Sequence, residues 1–278
     1  MPRPFMLIDV FSSEAFGGNP LAVVFDAEGL DTETMQRVTR WLNLSETAFL
    51  LSPTEPNADY RVRIFTLERE LPFAGHPTLG SCHGWLAAGG KPKSPDRIVQ
   101  QCEAGLIPIR RQESGLAFAA PPLLRTGPIA PDAMDEILAV LRIDAAEVVA
   151  AAWIDNGPGW AGVLLRSAEA VLAIEPARHH PRRIDIGAIG PHAAGDAAFE
   201  LRAFFSDPHG AIVEDPVTGS LNASAAQWLI GSGRASPSYI AAQGTRIGRS
   251  GRVHVAAEGA DVWIGGATRT MFSGETAF

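Results

Sequence analysis

The chain has 278 residues, 46% of them hydrophobic and 19% charged, with a formal net charge of −8. That length suits one large domain or two of ordinary size, and the acidic balance argues against nucleic acid or an acidic membrane as main partner, because phosphate binding needs a basic footprint. No basic-then-apolar leader opens the sequence, no apolar run approaches the ~18–20 residues of a membrane helix, and Cys82 and Cys102 are too few for a disulfide framework, so a cytoplasmic protein with reduced thiols is expected.

Residues 5–11 read as a buried strand, and Gly17-Gly18-Asn19-Pro20 as a turn before a second strand at 21–25. Asp31 is placed to cap a helix in which Met35, Val38, Trp41 and Leu42 recur at helical spacing. Residues 45–51 alternate, with Glu46, Ala48 and Leu50 on one face and Thr47, Phe49 and Leu51 on the other. A β-rich run at 60–65 precedes Glu70-Leu71-Pro72-Phe73-Ala74-Gly75-His76, which opens a helix over 77–89; proline is welcome in a first helical turn. Strands near 107–111 and 116–119 close the first half, and the prolines between 121 and 131 mark a linker. Beyond it come a helix near 133–141, strands near 148–154 and 161–165, a short helix near 168–174 and a polar loop at 178–183. A β-rich run at 201–205 leads into Glu214-Asp215-Pro216-Val217-Thr218-Gly219-Ser220 and a helix that Ser220 would cap, continuing through 230. Strands near 252–256 and 261–264 follow.

The two motif copies lie about half a chain length apart. Glu70, Pro72 and Gly75 recur as Glu214, Pro216 and Gly219, each copy between a β-rich run and a helix. Duplication into two similar halves is the expected origin. Strands outnumber helices, so alternating βαβ winding is not supported. The expected fold class is α+β: two pseudo-symmetric halves, each a sheet wrapped around a principal helix. The halves are placed at 1–120, with the chain's last residues available to complete it, and 121–268.

Leu71 stands against Asp215 and His76 against Ser220 in the two copies, which points to one site assembled from both halves, in the cleft between them. Helix N-termini offer unpaired N–H groups and partial positive charge, suited to a carboxylate or developing oxyanion; ordinary capping would give the same spacing. Glu46 lies among apolar residues, where burial raises a carboxyl pKa and makes a general acid/base near neutral pH; a strand-end glutamate facing water fits the same pattern. Asp215 beside Glu214 raises the same question, since paired acids in a turn are usually solvated. His76 and His83 are separated by ~10 Å along a helix axis and cannot share a metal, and His179-His180 lacks partner spacing for zinc. Gly157-Pro158-Gly159-Trp160-Ala161-Gly162 spells a dinucleotide fingerprint, but the strand-like Val163-Leu164-Leu165-Arg166 follows it, so it reads as a glycine hairpin. Neither a metal nor a nucleotide cofactor is expected.

Four blocks together resemble the phenazine-biosynthesis isomerase-like (PhzF-like) family, within the diaminopimelate epimerase fold group. They are Asp9-Val10-Phe11 with Gly17-Gly18-Asn19-Pro20-Leu21-Ala22-Val23, Leu44-Ser45-Glu46-Thr47-Ala48-Phe49, Glu70 through Gly80, and Glu214 through Ser220. The resemblance implies two pseudo-symmetric halves and Glu46 as the residue that shuttles a proton on carbon. It further implies that His76 and Asp215 orient substrate and relay protons, and that Asn19, Ser45, Gly75, Gly219 and Ser220 bind it. A cofactor-independent isomerase acting on a small carboxylated metabolite, as a homodimer, is the expectation it carries. An amino- or imino-acid epimerase or racemase is the nearest alternative, although the epimerase relatives use two cysteines where this chain has His76 and Ser220. A non-catalytic binding protein on the same fold is the other. Residues 123–198 match little specifically.

Overall fold

In the computed structural model, which describes residues 2–278, strands carry more of the chain than helices do. In chain order the elements are β1 (Pro4–Val10), β2 (Asn19–Val24), α1 (Thr32–Leu42), β3 (Glu46–Leu51), β4 (Tyr60–Thr66), β5 (Glu70–Leu71), α2 (Gly75–Ala87), β6 (Ile98–Cys102), β7 (Gly105–Gln112) and β8 (Gly115–Ala119). There follow β9 (Arg125–Gly127), α3 (Pro131–Leu141), β10 (Val148–Asp155), β11 (Ala161–Leu165), α4 (Ala168–Leu172), β12 (Asp185–Pro191), β13 (Phe199–Ser206) and β14 (Ile212–Asp215). The last are α5 (Gly219–Gly231), β15 (Ser238–Gln243), β16 (Gly251–Glu258), β17 (Asp261–Gly266) and β18 (Thr268–Glu275). The chain divides into two units, Met1–Ala119 with Gly265–Phe278, and Ala120–Ile264.

In the first unit β1 lies antiparallel between β18 and β2; β2 then runs parallel to β3, β3 antiparallel to β4, and β4 parallel to β6. β6, β7 and β8 complete an antiparallel meander. The strands surround α2, which packs against β1, β2, β3, β4, β6, β8 and β18. Its sequence explains that position. The residues from Gly75 through Cys82 are all buried, and a helix without a polar face belongs in a core. A Cβ on Gly80 would lie 2.5 Å from Leu21 Cδ2, so glycine is what lets β2 pass this close.

The second unit repeats the same order of steps. β10 is antiparallel to β9 and β11, β11 parallel to β12, β12 antiparallel to β13, β13 parallel to β15, and β15 antiparallel to β16. α5 is again small and apolar, with Leu221 through Ala226 buried. Gly187 on β12 makes room for it, since a Cβ there would lie 2.2 Å from Leu221 Cδ1. A second layer, α3 and α4, packs Ile137, Leu141 and Val171 onto Val163, Ile186 and Phe204.

Both motif glutamates tie a turn to its neighbouring strand. Arg63 on β4 donates Nε and Nη2 to the two carboxylate oxygens of Glu70 at 2.7 and 2.6 Å. Arg202 on β13 does the same to Glu214 at 3.0 and 2.7 Å. These planar two-point pairs are the strong form of ion pair, and they account for the recurrence of glutamate at the start of each copy.

The expected α+β, diaminopimelate epimerase-like class holds. The expected strand at 45–51 is β3, buried on both faces at 47–50, because β3 has α1 on one side and α2 on the other. Several other local expectations do not hold. Trp41 is 83% exposed; it lies about 120° around the helix from Met35, off the face that packs. α2 begins at Gly75, two residues earlier than expected, so His76 falls in its first turn. Ser220 is not the cap of α5: Thr218 occupies the N-cap position, and Ser220 is the second helical residue. β12 and β15 went unread because glycine and alanine lower strand propensity, although that same smallness suits strands packed on a helix.

Candidate functional site

In the first unit, Glu46 opens β3 and His76 is the second residue of α2. Glu46 Oε2 stands 3.5 Å from His76 Nδ1, an electrostatic contact at the outer limit of hydrogen bonding. His76 is 3% exposed. Burial pushes its pKa from the ordinary 6.5 down to about 3, against a smaller opposing effect from a hydrogen bond with the Pro20 backbone. The imidazole is therefore neutral at physiological pH. Its Nε2 is buried with no hydrogen-bond partner, a rare state for a buried nitrogen.

The Gly17-Gly18-Asn19-Pro20 turn supports this histidine. Gly18 N–H donates to Asp9 Oδ1 at 3.0 Å, and a Cβ on Gly18 would lie 2.1 Å from the Val10 carbonyl oxygen. Only glycine fits, and the fit holds Pro20 against the imidazole. Asn19 is fully buried beside it, while Ser45 is half-buried just before β3. Ala74 is the N-cap of α2 and supplies no side-chain bond, so the first-turn N–H groups at Gly75 and His76 have no side-chain cap.

The depressed His76 pKa has a measurable consequence. Unfolded, this imidazole takes a proton near 6.5; folded, it resists until about 3. The unfolded state therefore binds more protons throughout that window, so His76 makes the fold lose stability as pH falls from about 6.5 toward 3. Denaturant titrations across that range should show a shallower acid loss for His76→Gln than for the parent. Parallel curves would contradict a buried neutral imidazole.

In the second unit, Asp215 ends β14, and Thr218 turns its hydroxyl away from its own helix to donate to Asp215 Oδ2 at 2.5 Å. Gln243 on β15, fully buried, binds this turn at four points. Its Nε2 donates to the Asp215 carbonyl at 3.1 Å and to Thr218 Oγ1 at 2.9 Å. Its Oε1 accepts from Thr218 N–H at 3.0 Å and from Asn222 Nδ2 at 2.8 Å. Gly219 is the buried first residue of α5, and Ser220 follows it, half-buried. The first unit has a shorter counterpart, in which Gln100 Nε2 donates to Thr78 Oγ1 at 2.9 Å and Tyr60 donates its hydroxyl to Gln100 Oε1 at 3.0 Å. Sequence reasoning missed Thr218, Gln243 and Gln100. Their signal was slight: glutamine in the strand that follows each principal helix, Gln100 and Gln101 in β6 and Gln243 in β15.

The structure thus brings Glu46 and His76 together in one unit, and Asp215, Gly219 and Ser220 together in the other. The remaining candidates have structural partners. Burial pushes the Cys82 thiol up to about 12 and raises Cys102 as well, so neither supplies a thiolate. Both ring nitrogens of His83 meet threonine hydroxyls, Thr268 and Thr270, at 2.9 Å. No group of three or more His, Cys, Asp or Glu side chains suited to a metal occurs among the described residues. Gly157 and Gly159 sit in the hairpin between β10 and β11, their N–H groups donating to Asp155 Oδ1 at 2.7 Å each. No helix among the described residues is long and apolar enough to cross a membrane.

The sequence profile of the PhzC–PhzF family, described as phenazine biosynthesis-like protein, matches residues 8–276. Antisense-enhancing sequence 1 of Schizosaccharomyces pombe is 35% identical over 292 residues, covering 98% of this chain and 98% of that one. The trans-2,3-dihydro-3-hydroxyanthranilate isomerase of Pseudomonas aeruginosa is 34% identical over 263 residues, covering 92% of this chain and 91% of its own. Among solved structures, a phenazine biosynthesis protein of the PhzF family from Enterococcus faecalis superposes with a TM-score of 0.81 at 25% identity, covering 100% of both chains.

Proposed function

The chain belongs to the phenazine biosynthesis-like family, an isomerase group, and from that premise we propose that it moves a proton on carbon of a small carboxylated metabolite without a cofactor. Glu46 takes the proton from one carbon and returns it to another, so the substrate is isomerised with no net change of atoms. His76 and Asp215 orient the substrate and relay protons. The first-turn N–H groups of α2 and α5, with the Ser220 hydroxyl, hold the carboxylate and the negative charge that develops as the C–H bond breaks. Asn19 and Ser45 complete the contacts.

The observation that carries this reading is the buried, neutral His76 beside Glu46 at a helix start. A neutral imidazole does not fix the carboxylate in a tight ion pair, which leaves it available as a base. Two-thiol epimerisation is disfavoured, because the candidate thiols are buried and their pKa values raised. A binding protein without catalysis would have no need of this pair. We place the enzyme in the cytoplasm as a homodimer.

Incubation with a panel of carboxylated metabolites in D₂O, including trans-2,3-dihydro-3-hydroxyanthranilate, tests the reading. Deuterium should enter at carbon in at least one member, with and without prior dialysis against a strong chelator. Exchange restored only by a divalent ion would count against the acid/base mechanism.

A further inference from the structure

We propose that Trp160 is a positioning residue that fixes Ser220 as a hydrogen-bond donor toward the anionic group of the bound metabolite. Trp160 stands at the end of the β10–β11 hairpin and is 3% exposed. Its indole Nε1–H donates to Ser220 Oγ at 3.0 Å. An indole has one donor and no acceptor, so Ser220 can only accept in this contact. The serine proton is thereby turned elsewhere, and no protein acceptor takes it among the described residues.

The hairpin holds Ser220 by a second bond. Asn156 Nδ2 donates to the Ser220 carbonyl oxygen at 2.9 Å, so side chain and main chain are both pinned from the same loop. That loop is stiff: Asp155 Oδ1 gathers the N–H groups of Gly157 and Gly159 between the two anchoring residues. Ser220 lies in the first turn of α5, where the leading N–H groups have no intrahelical partner. A hydroxyl held as donor among amide donors selects a group that only accepts: a carboxylate or enolate oxygen. The glycine hairpin thus acquires a role in aiming a serine.

The inference rests on the reading that Ser220 meets the substrate, so its test measures binding rather than turnover. Wild type, Trp160→Phe, Ser220→Ala and the double variant are titrated calorimetrically with anthranilate, an aromatic carboxylate, and the indole N–H signals are followed by ¹⁵N NMR. Ser220→Ala should weaken binding about tenfold or more, as loss of a hydrogen bond to a charged group does. Trp160→Phe keeps an aromatic ring but removes the N–H donor, and should weaken it by a smaller factor. The double variant should be no weaker than Ser220→Ala alone, because Trp160 acts through Ser220. The Trp160 indole signal, identified by its loss in Trp160→Phe, should shift in Ser220→Ala. Additive losses, an indole signal indifferent to Ser220→Ala, or unchanged affinity in both variants would overturn the proposal. Non-additive binding together with no deuterium exchange in any metabolite would instead sink the isomerase reading and leave this one standing.

Discussion

Glu46→Gln is expected to bind substrate nearly as the parent does while exchanging carbon-bound hydrogen about 10²–10⁴-fold more slowly. Glutamine keeps the size of the side chain and one accepting oxygen, but cannot carry a proton on or off carbon. The neighbouring imidazole is neutral across the physiological range, so replacing the carboxylate removes no charge–charge attraction to His76, and circular dichroism checks that the fold survives. The loss should therefore appear in kcat with KM little changed, the signature of an interaction made in the transition state. Rates measured between pH 5 and 8 should show no limb from His76, whose pKa of about 3 lies below that range. Retention of more than about a tenth of parental exchange would remove Glu46 as the base.

The duplicated architecture was legible because it repeats a strand, a Glu-x-Pro turn and a helix, and each step follows local rules of strand and turn. The pairing of Glu46 with His76 was not legible from spacing. It arises where the start of β3 meets the start of α2, and nothing in either segment alone specifies that meeting; the family resemblance nominated both residues. The cap of α5 was misread for a definite reason. Thr218 and Ser220 are both good capping types, but no hydroxyl caps α5, and that of Thr218 goes to Asp215 instead, so side-chain capping preference does not locate the helix start. Gln243 belongs to a strand that sequence reasoning did not find, and its four bonds join residues far from it in the chain. Trp160 looked like part of a nucleotide fingerprint, and its contact with Ser220 crosses from one hairpin to a distant helix.

Arg202→Met is expected to lower stability by about 3–5 kcal/mol, the cost of leaving one member of a buried ion pair uncompensated. Arg202 and Glu214 side chains are 3% and 12% exposed. The guanidinium also donates Nη1 to the carbonyls of Val171 and Ile174 at 3.1 and 2.7 Å, so its removal strands a carboxylate and two main-chain acceptors at the end of α4. The equivalent change in the first unit, Arg63→Met, provides an internal control. Arg63 and Glu70 are 25% and 27% exposed, and water can reach the glutamate that remains, so a loss nearer ~1 kcal/mol is expected. Met at both Arg202 and Glu214 should recover part of the larger loss, because an apolar pair of similar volume leaves no buried charge. Denaturant unfolding of the variants decides the matter: equal losses for Arg202→Met and Arg63→Met would mean that burial does not distinguish the two pairs. The same variants bear on the site, because Glu214 adjoins Asp215. If the pair serves only to hold β14 on β13, the variant with both charges removed should regain stability and deuterium exchange together.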